Sequence, residues 1–367
     1  MRKAFFVYLK TSILLLSSLV ISPLLHAQTY SASFNESAWS AKTGAFACSL
    51  SHAIPAYGTA QFVRKTGGGE YLELKSSGAV VLSGTVKIEA APPVWRIEGV
   101  TTPLGQVQIA QGQAVRVQAA QVKTISSTLA QGNNVFFAAE QTNSTENGLR
   151  VALTAHNFSP AFERYRKCLA ELIPYTFAQI ERTLINYAPE AEELSASAKS
   201  QLDKIVRYSK ADPGVIGILV DAHSEKLATP EAGIAASQQQ ADLVTTYLVE
   251  RGIAAGMITT RSHGDKFPIA NNQNKAGQAK NRRVTVRMEN EATRKAMEKK
   301  IASIIAAEEK AAEEKAAKEK AAADQAATEQ TSSAPAELPA SLQELEQMVE
   351  QQDLTSGKQP SSPSSAK

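Results

Sequence analysis

The second half of the chain is organised around Val-Ile-Gly-Ile-Leu-Val at residues 215–220, a short and almost entirely apolar run. A run of this length is typical of a strand that is buried on both faces. Residues 195–208 precede it and place their apolar side chains on one helical face behind a serine, which is a common helix start. Residues 235–251 follow it and predict a second helix that stops at Gly252.

Two further strands complete this pattern. Residues 257–262 predict one strand, and residues 283–288 read Arg-Val-Thr-Val-Arg-Met, which alternates polar and apolar side chains. Residues 177–187, ahead of the first helix, become extended near their end and predict one more strand. The element order is therefore β-α-β-α-β-β, which predicts a mixed sheet with its helices on one face.

The first part of the chain, residues 28–158, shows a different period. Stretches such as Ala-Gln-Phe-Val-Arg at 60–64 and Tyr-Leu-Glu-Leu at 71–74 alternate apolar and polar residues between turn residues. This pattern predicts an all-β domain, and residues 159–288 then form a linker helix plus the second domain. The whole chain is predicted to be an α+β protein. It shows no nucleophile, metal-binding pattern or acid-base set, so we expect no enzymatic activity and no cofactor.

The amino terminus, residues 1–27, has the features of a secretory signal peptide: a cationic start, an apolar run at 11–21, and the small residue Ala27 at its end. Leu25 stands where a small residue is preferred before the cut, so an uncleaved anchor stays an alternative.

The 367-residue chain has a formal charge of +3, and residues 1–27 hold three basic residues and no acid. The mature chain is therefore neutral, which argues against nucleic-acid binding. It has no other run of the roughly 20 apolar residues that a membrane span needs.

Export from the cytoplasm predicts a structural role for the two cysteines, Cys48 and Cys168. In an oxidising compartment an even pair is usually bridged, so we expect a disulfide between them. A metal site is the alternative, because Cys48 and His52 are four residues apart, but no CxxC or HExxH pattern accompanies them.

A set of short motifs connects residues 187–288 with a known family. Ala-His-Ser-Glu at 222–225 follows the buried strand, Gly-Asp at 264–265 precedes Pro-Ile-Ala-Asn-Asn at 268–272, and Asn-Arg-Arg-Val stands at 281–284. These motifs resemble the OmpA-like domain, which binds bacterial peptidoglycan noncovalently. The resemblance implies a peptidoglycan-binding site formed by His223, Glu225, Gln240, Asn281 and Arg283.

This chain departs from the family pattern at two of these positions. In the family, an aspartate and a helix arginine hold the amino and carboxylate groups of diaminopimelate. Here Glu225 stands at the aspartate position and Gln240 at the arginine position. Glutamine has neither the charge nor the planar fork of arginine, so we expect peptidoglycan binding to be weakened or lost. For Asn281 and Arg283 a capping and ion-pairing role inside the fold is an equal alternative, and His223 is favoured as a hydrogen-bonded residue at the strand end.

The first domain carries a second resemblance. Cys-Ser-Leu-Ser-His-Ala-Ile-Pro-Ala-Tyr-Gly stands at 48–58, Pro-Pro-Val-Trp-Arg at 92–96, and Cys168 and Phe177 lie near the junction of the two domains. Together these features are similar to the MotY family of periplasmic flagellar motor proteins.

The resemblance implies a structural subunit of the polar flagellar motor. Such proteins assemble with the partner MotX into the T ring at the basal body and support the stator complexes of the motor. A general envelope protein that ties some other complex to peptidoglycan is the alternative function.

The remaining residues have a different composition. Ala-Ala-Glu-Glu-Lys at 306–310 recurs at 311–315, so residues 289–330 predict a polar, alanine-rich helix. Residues 331–367 are rich in Ser, Pro and Gln and predict a mostly disordered tail. Within the tail, residues 342–349 form a short amphipathic piece, which is either a docking helix or part of an uninvolved solvated segment.

Overall fold

The computed structural model describes residues 28–78, 80–93, 95–96, 99–110, 112–139, 148–326 and 347. The predicted signal peptide and the predicted tail, apart from Gln347, lie outside these residues. The chain divides into two compact units between Leu172 and Ile173. Both units combine sheets with helices, so the predicted α+β class is confirmed. In the described part of the chain, every helix is too short or too polar to cross a bilayer.

The described residues of the first unit form two five-stranded sheets and two helices. Its strands, β1 to β10 in chain order, are Gln28–Tyr30, Trp39–Lys42, Ala47–Ile54, Gly58–Lys65, Tyr71–Ser76, Gly84–Ala91, Thr102–Ile109, Val115–Gln118, Asn134–Ala139 and Leu149–Leu153. Its helices, α1 and α2, are Ala119–Ala130 and Phe158–Glu171. One sheet has the order β1-β10-β9-β6-β7 and the other β2-β3-β4-β5-β8. Neighbouring strands are antiparallel except for β1 and β10, which are parallel.

Both sheets contribute to one hydrophobic core. Val86 and Phe137 come from the first sheet, Leu50 and Phe62 come from the second, and all four are fully buried. Because successive strand residues point to opposite faces, the apolar residues at alternate positions face this core together.

Helix α1 corrects the prediction of an all-β first domain. Strand β8 ends at Gln118, and the chain continues directly into α1. Val122, Ile125 and Leu129 recur at helical spacing and are buried in the core. The domain is therefore β-rich rather than all-β.

Helix α2 belongs to the first unit, although the sequence predicted a linker helix of the second domain. Its residues Phe158, Ala161, Tyr165 and Cys168 recur at helical spacing and are buried in the first core. Cys168 forms a disulfide with Cys48 of β3, with 6.0 Å between the two Cα atoms. The predicted pairing is confirmed, and α2 is an integral part of the first unit.

The described residues of the second unit form a four-stranded sheet and five α-helices. The strands, β11 to β14, are Arg182–Asn186, Val215–His223, Ile258–Ser262 and Arg283–Asn290. The helices, α3 to α7, are Phe177–Ile180, Ala196–Ala211, Pro230–Glu250, Lys275–Asn281 and Glu291–Ala326. The strand order is β11-β14-β12-β13, in which β12 and β13 are parallel and the other pairs antiparallel. The predicted mixed sheet is confirmed, with the short helix α6 added before the last strand.

The two faces of this sheet differ in character. Val220 of β12 lies opposite Thr260 of β13, and Thr260 contacts Thr245 of α5. Val220 and Ile218 therefore belong to the apolar face that meets the helices, and both are buried. Asp221 points to the other face, because alternate residues of a strand point to opposite sides.

Helix α7 begins with a capping box. The Asn290 side chain accepts a hydrogen bond from the backbone nitrogen of Thr293, and the Thr293 hydroxyl accepts one from the backbone nitrogen of Asn290, both at 2.8 Å. The helix is described from Glu291 to Ala326, within the predicted range 289–330. It starts two residues later than predicted because β14 continues to Asn290.

Candidate functional site

The loop that follows β12 places Glu225 beside Arg282. A carboxylate oxygen of Glu225 lies 2.7 Å from Nη1 of Arg282, and both side chains are mostly buried. Nε of Arg282 also donates to the backbone oxygen of Tyr187, at 3.2 Å. The carboxylate that the family resemblance assigns to an amino group of the ligand therefore has an arginine of this chain as its partner.

Gln240 lies on helix α5 next to a cavity. Its side chain is 4% exposed, and its amide nitrogen donates to the backbone oxygen of Ala191. The cavity has a volume of about 290 Å³. Its walls are formed by Ile185, Asn186, Tyr187, Ala188, Ala191, Glu193, Leu194, Ser195, Ala198, Gln240, Val244 and Val284. None of these wall residues, all of them described, carries a positive charge, so they offer a carboxylate no cation.

Tyr187 connects this cavity with the end of β12. It lines the cavity, and its hydroxyl donates to the backbone oxygen of His223. Burial raises the pKa of Tyr187 to about 12, so the hydroxyl stays protonated at neutral pH. The sequence analysis did not identify Tyr187 as a site residue. Its position directly after strand β11 could have indicated it, because residues at strand ends often lie at binding sites.

Asn281 holds the loop that precedes α6. Its side-chain oxygen accepts hydrogen bonds from the backbone nitrogens of Ile269 and Ala270, at 2.9 and 3.0 Å. Its amide nitrogen donates to the backbone oxygen of Ala270 and the side-chain oxygen of Asn272, both at 2.8 Å. The side chain is fully buried and all its hydrogen-bonding positions are used, so the geometry favours the structural role for Asn281.

Arg283 and His223 also point into the protein. Arg283 donates to the backbone oxygens of Asn281 and Phe267, at 3.4 and 3.1 Å. The His223 ring stacks on His263 with 4.9 Å between the ring centroids. Burial, followed by the positive charge of Arg283, lowers the pKa of His223 to about 3. The imidazole is therefore neutral at physiological pH and serves as a packed interior residue.

The candidate residues thus separate into two groups. Gln240 borders the cavity, and Glu225 is connected to the cavity wall through Arg282 and Tyr187. Interior positions are occupied by His223, Asn281 and Arg283.

The alternative metal site at Cys48 and His52 is excluded by the disulfide, because a bridged cysteine has no thiolate to offer. Nδ1 of His52 instead lies 3.0 Å from the backbone oxygen of Ala38. Among the described residues, no group of three or more acidic, histidine or cysteine side chains is placed to hold a metal ion.

Comparison with protein families matches both parts of the chain. Residues 30–174 match the MotY N-terminal domain, and residues 186–282 match the OmpA family. The chain carries a MotY N-terminal domain and an OmpA domain. The family resemblance that the motifs indicated is confirmed.

Known proteins are similar to most of the chain or to a shorter part of it. The sodium-type flagellar protein MotY of Vibrio parahaemolyticus is 25% identical over 241 residues, which are 65% of this chain and 82% of that protein. The peptidoglycan-associated lipoprotein of Haemophilus influenzae is 35% identical over 85 residues, which are 23% of this chain and only 55% of that protein. The solved structure of the peptidoglycan-associated lipoprotein from Burkholderia pseudomallei is 22% identical, with a TM-score of 0.28, over 29% of this chain and 89% of its own chain.

The limits of the two domain matches agree with the packing. The MotY N-terminal domain match ends just after α2, which is buried in the first core. The OmpA domain match contains Glu225, Gln240 and all residues that line the cavity except Ile185 and Val284, which lie just outside its two ends. The candidate site is therefore a feature of the OmpA domain.

Proposed function

We propose that this chain is a structural component of the polar flagellar motor that acts in the periplasm at the basal body. The observation that carries the proposal is the presence of a MotY N-terminal domain and an OmpA domain in one chain. The first domain joins a MotX-like partner in the T ring. The OmpA domain helps to recruit or steady stator complexes by contact with peptidoglycan, and the protein catalyses no reaction.

A mechanical role is consistent with the physical properties of the chain. The torque of a motor has to be resisted by something stiff, and the disulfide between Cys48 and Cys168 joins helix α2 covalently to strand β3. Wall contacts that are weak one by one add together around a ring, because binding of the first subunit raises the effective concentration of the next. A ring subunit therefore tolerates a weakened peptidoglycan site better than a lone anchor does.

The geometry of the candidate site supports weakened peptidoglycan binding. A zwitterionic ligand needs a cation for its carboxylate, and the described wall of the cavity offers the amide of Gln240 in that place. The amide nitrogen is already used by Ala191. The amino group of the ligand would also have to compete with Arg282 for Glu225.

Deletion of the gene tests the proposed function. We expect the cells to assemble flagellar filaments and lose swimming, because stator complexes without support transmit no torque. Expression of the full chain should restore swimming. The OmpA domain also permits a second function, a general envelope anchor. Detergent sensitivity and membrane blebbing with unimpaired swimming would support that second function and contradict the first.

Restoring the missing cation is expected to strengthen peptidoglycan binding. In the full chain, Gln240→Arg places a guanidinium at the cavity, where it can form charge-assisted hydrogen bonds with the carboxylate of a stem peptide. Such bonds are worth roughly 1.5–3 kcal/mol, so we expect about a tenfold higher affinity or more for purified sacculi in a co-sedimentation assay.

A matched control separates site geometry from added charge. Gln239→Arg adds the same charge one residue away, on an exposed position of the same helix. We expect this variant to bind sacculi like the unmodified chain. Equal gains in both variants would point to nonspecific attraction, and strong retention of the unmodified chain would contradict weakened binding.

A further inference from the structure

The face of the second sheet that points away from the helices is polar and yet buried. Asp221 of β12 lies opposite Arg261 of β13 and Thr285 of β14. Asp221 and Thr285 are 0% exposed and Arg261 is 9% exposed. A sheet face that met only solvent would leave long charged side chains exposed. Some part of the protein therefore covers this face.

The charges on this face are unequal. By register and strand period, the described strand residues place four arginines there: Arg182, Arg261, Arg283 and Arg287. The acids that share this face are Asp221 and Glu289. The positive excess of the strands makes the face suited to an acidic cover.

One described residue of the carboxyl-terminal tail reaches this face. The amide nitrogen of Gln347 lies 3.0 Å from Nε2 of His263, within hydrogen-bonding distance, and Gln347 is 1% exposed. The same ring nitrogen of His263 lies 3.2 Å from a carboxylate oxygen of Asp221. Gln347 thus contacts the polar cluster of the sheet directly.

The tail is acidic, so its charge is opposite to the positive excess of the sheet face. Between residues 321 and 357 the chain has no lysine or arginine, and its acids are Asp324, Glu329, Glu337, Glu344, Glu346, Glu350 and Asp353. The predicted amphipathic piece, residues 342–349, contains Gln347. The 21 residue-to-residue steps from Ala326 to Gln347 can span up to about 70 Å when extended, so the connection is long enough.

We propose that the tail segment around Gln347 folds back within its own chain and covers the polar face of the OmpA domain sheet. Gln347 binds His263, and the acidic side chains of the segment face the arginines of the sheet. The tail is then part of the second unit, and it leaves free the helix side of the sheet, where Gln240 borders the cavity. The proposal does not depend on the proposed motor function.

Disulfide trapping in the full chain tests the placement of the tail. The two native cysteines are bonded to each other, so Gln347→Cys with His263→Cys introduces the free thiols. We expect mild oxidation to join residues 263 and 347 within one chain, seen as a linked peptide by mass spectrometry. The control pair is Gln347→Cys with Gln239→Cys, because Gln239 is exposed on the helix side. Equal trapping in both pairs, or linkage only between two chains, would overturn the proposal.

A second measurement uses substitutions in the tail segment alone, so the residues of the sheet are unchanged. Glu344→Lys, Glu346→Lys and Glu350→Lys together reverse the charge of the tail segment. We expect amides of residues 342–349 in the unmodified chain to exchange with deuterium at least about tenfold more slowly than in the triple variant, because docking protects them. Equal exchange rates in the two proteins would show that the charges do not hold the segment, and the proposal would fail.

Discussion

Replacing Cys48 and Cys168 together by serine is expected to lower the free energy of unfolding of the first unit by about 4 kcal/mol. The bond joins residues that are 120 positions apart, and closing so long a loop removes many conformations from the unfolded chain. Both residues are buried in the first core, so the serine hydroxyls add a desolvation cost in the folded state.

Chemical unfolding followed by tryptophan fluorescence measures the loss of stability in the first unit. The two tryptophans, Trp39 and Trp95, both belong to the first unit. The unmodified protein in the presence of reductant is the control, and it should lose a similar amount of stability, whereas the double variant should be insensitive to reductant. A loss below about 1 kcal/mol would mean that packing alone holds α2 in place.

The sequence predicted the elements whose apolar residues keep a clear period. In the run at 215–220, residues 218–220 are buried as expected, because a strand covered on one face by helices and on the other by polar groups exposes little of either. Ile216, near the start of the strand, is 42% exposed and departs from that expectation. Helix α1 was missed because it carries Thr124, Ser126, Ser127 and Thr128, whose helix propensity is low. Its stability comes from burying Val122, Ile125 and Leu129, which is a tertiary effect.

The candidate site could be predicted only in part. The motif that contains Asn281 and Arg283 also contains Arg282, and the sequence does not tell which of these side chains points into the fold. Strand β14 begins at Arg283, and its register with β12 turns Arg283 inward, opposite His223. Arg282 is thereby left to pair with Glu225. The partners of a charged side chain depend on strand register, which only the folded sheet determines.

Replacing Asp221 by asparagine is expected to destabilise the second unit by about 3–5 kcal/mol at neutral pH. Arg261 donates to its two carboxylate oxygens at 2.5 and 3.0 Å, His263 lies 3.2 Å away, and Arg287 lies 3.5 Å away. The asparagine keeps the shape of the side chain but removes the negative charge that these groups share. Breaking a buried ion pair on one side leaves the opposite charge in a region of low polarity, which is the costly outcome.

Global unfolding monitored by circular dichroism measures the loss in the full chain. Asp242→Asn is the matched control, because Asp242 is exposed on α5 and is hydrogen-bonded to Gln238 of the same helix. We expect the control to stay within about 0.5 kcal/mol of the unmodified protein. Equal stability of the Asp221 and Asp242 variants would show that the buried carboxylate contributes no more than a surface charge.

The same carboxylate predicts the direction of the pH dependence. Burial alone would raise the pKa of Asp221, but the hydrogen bonds from His263 and Arg261, together with the positive charges of Arg261 and Arg287, outweigh burial and hold it well below its usual range. Since the pKa is lower in the folded than in the unfolded chain, the stabilisation is fully present above about pH 4 and is lost as the pH falls further. Below that point the difference between the unmodified protein and Asp221→Asn should shrink by about 1.4 kcal/mol per pH unit. A difference that stayed constant from pH 7 to pH 3 would mean that the ionisation of Asp221 is not coupled to folding.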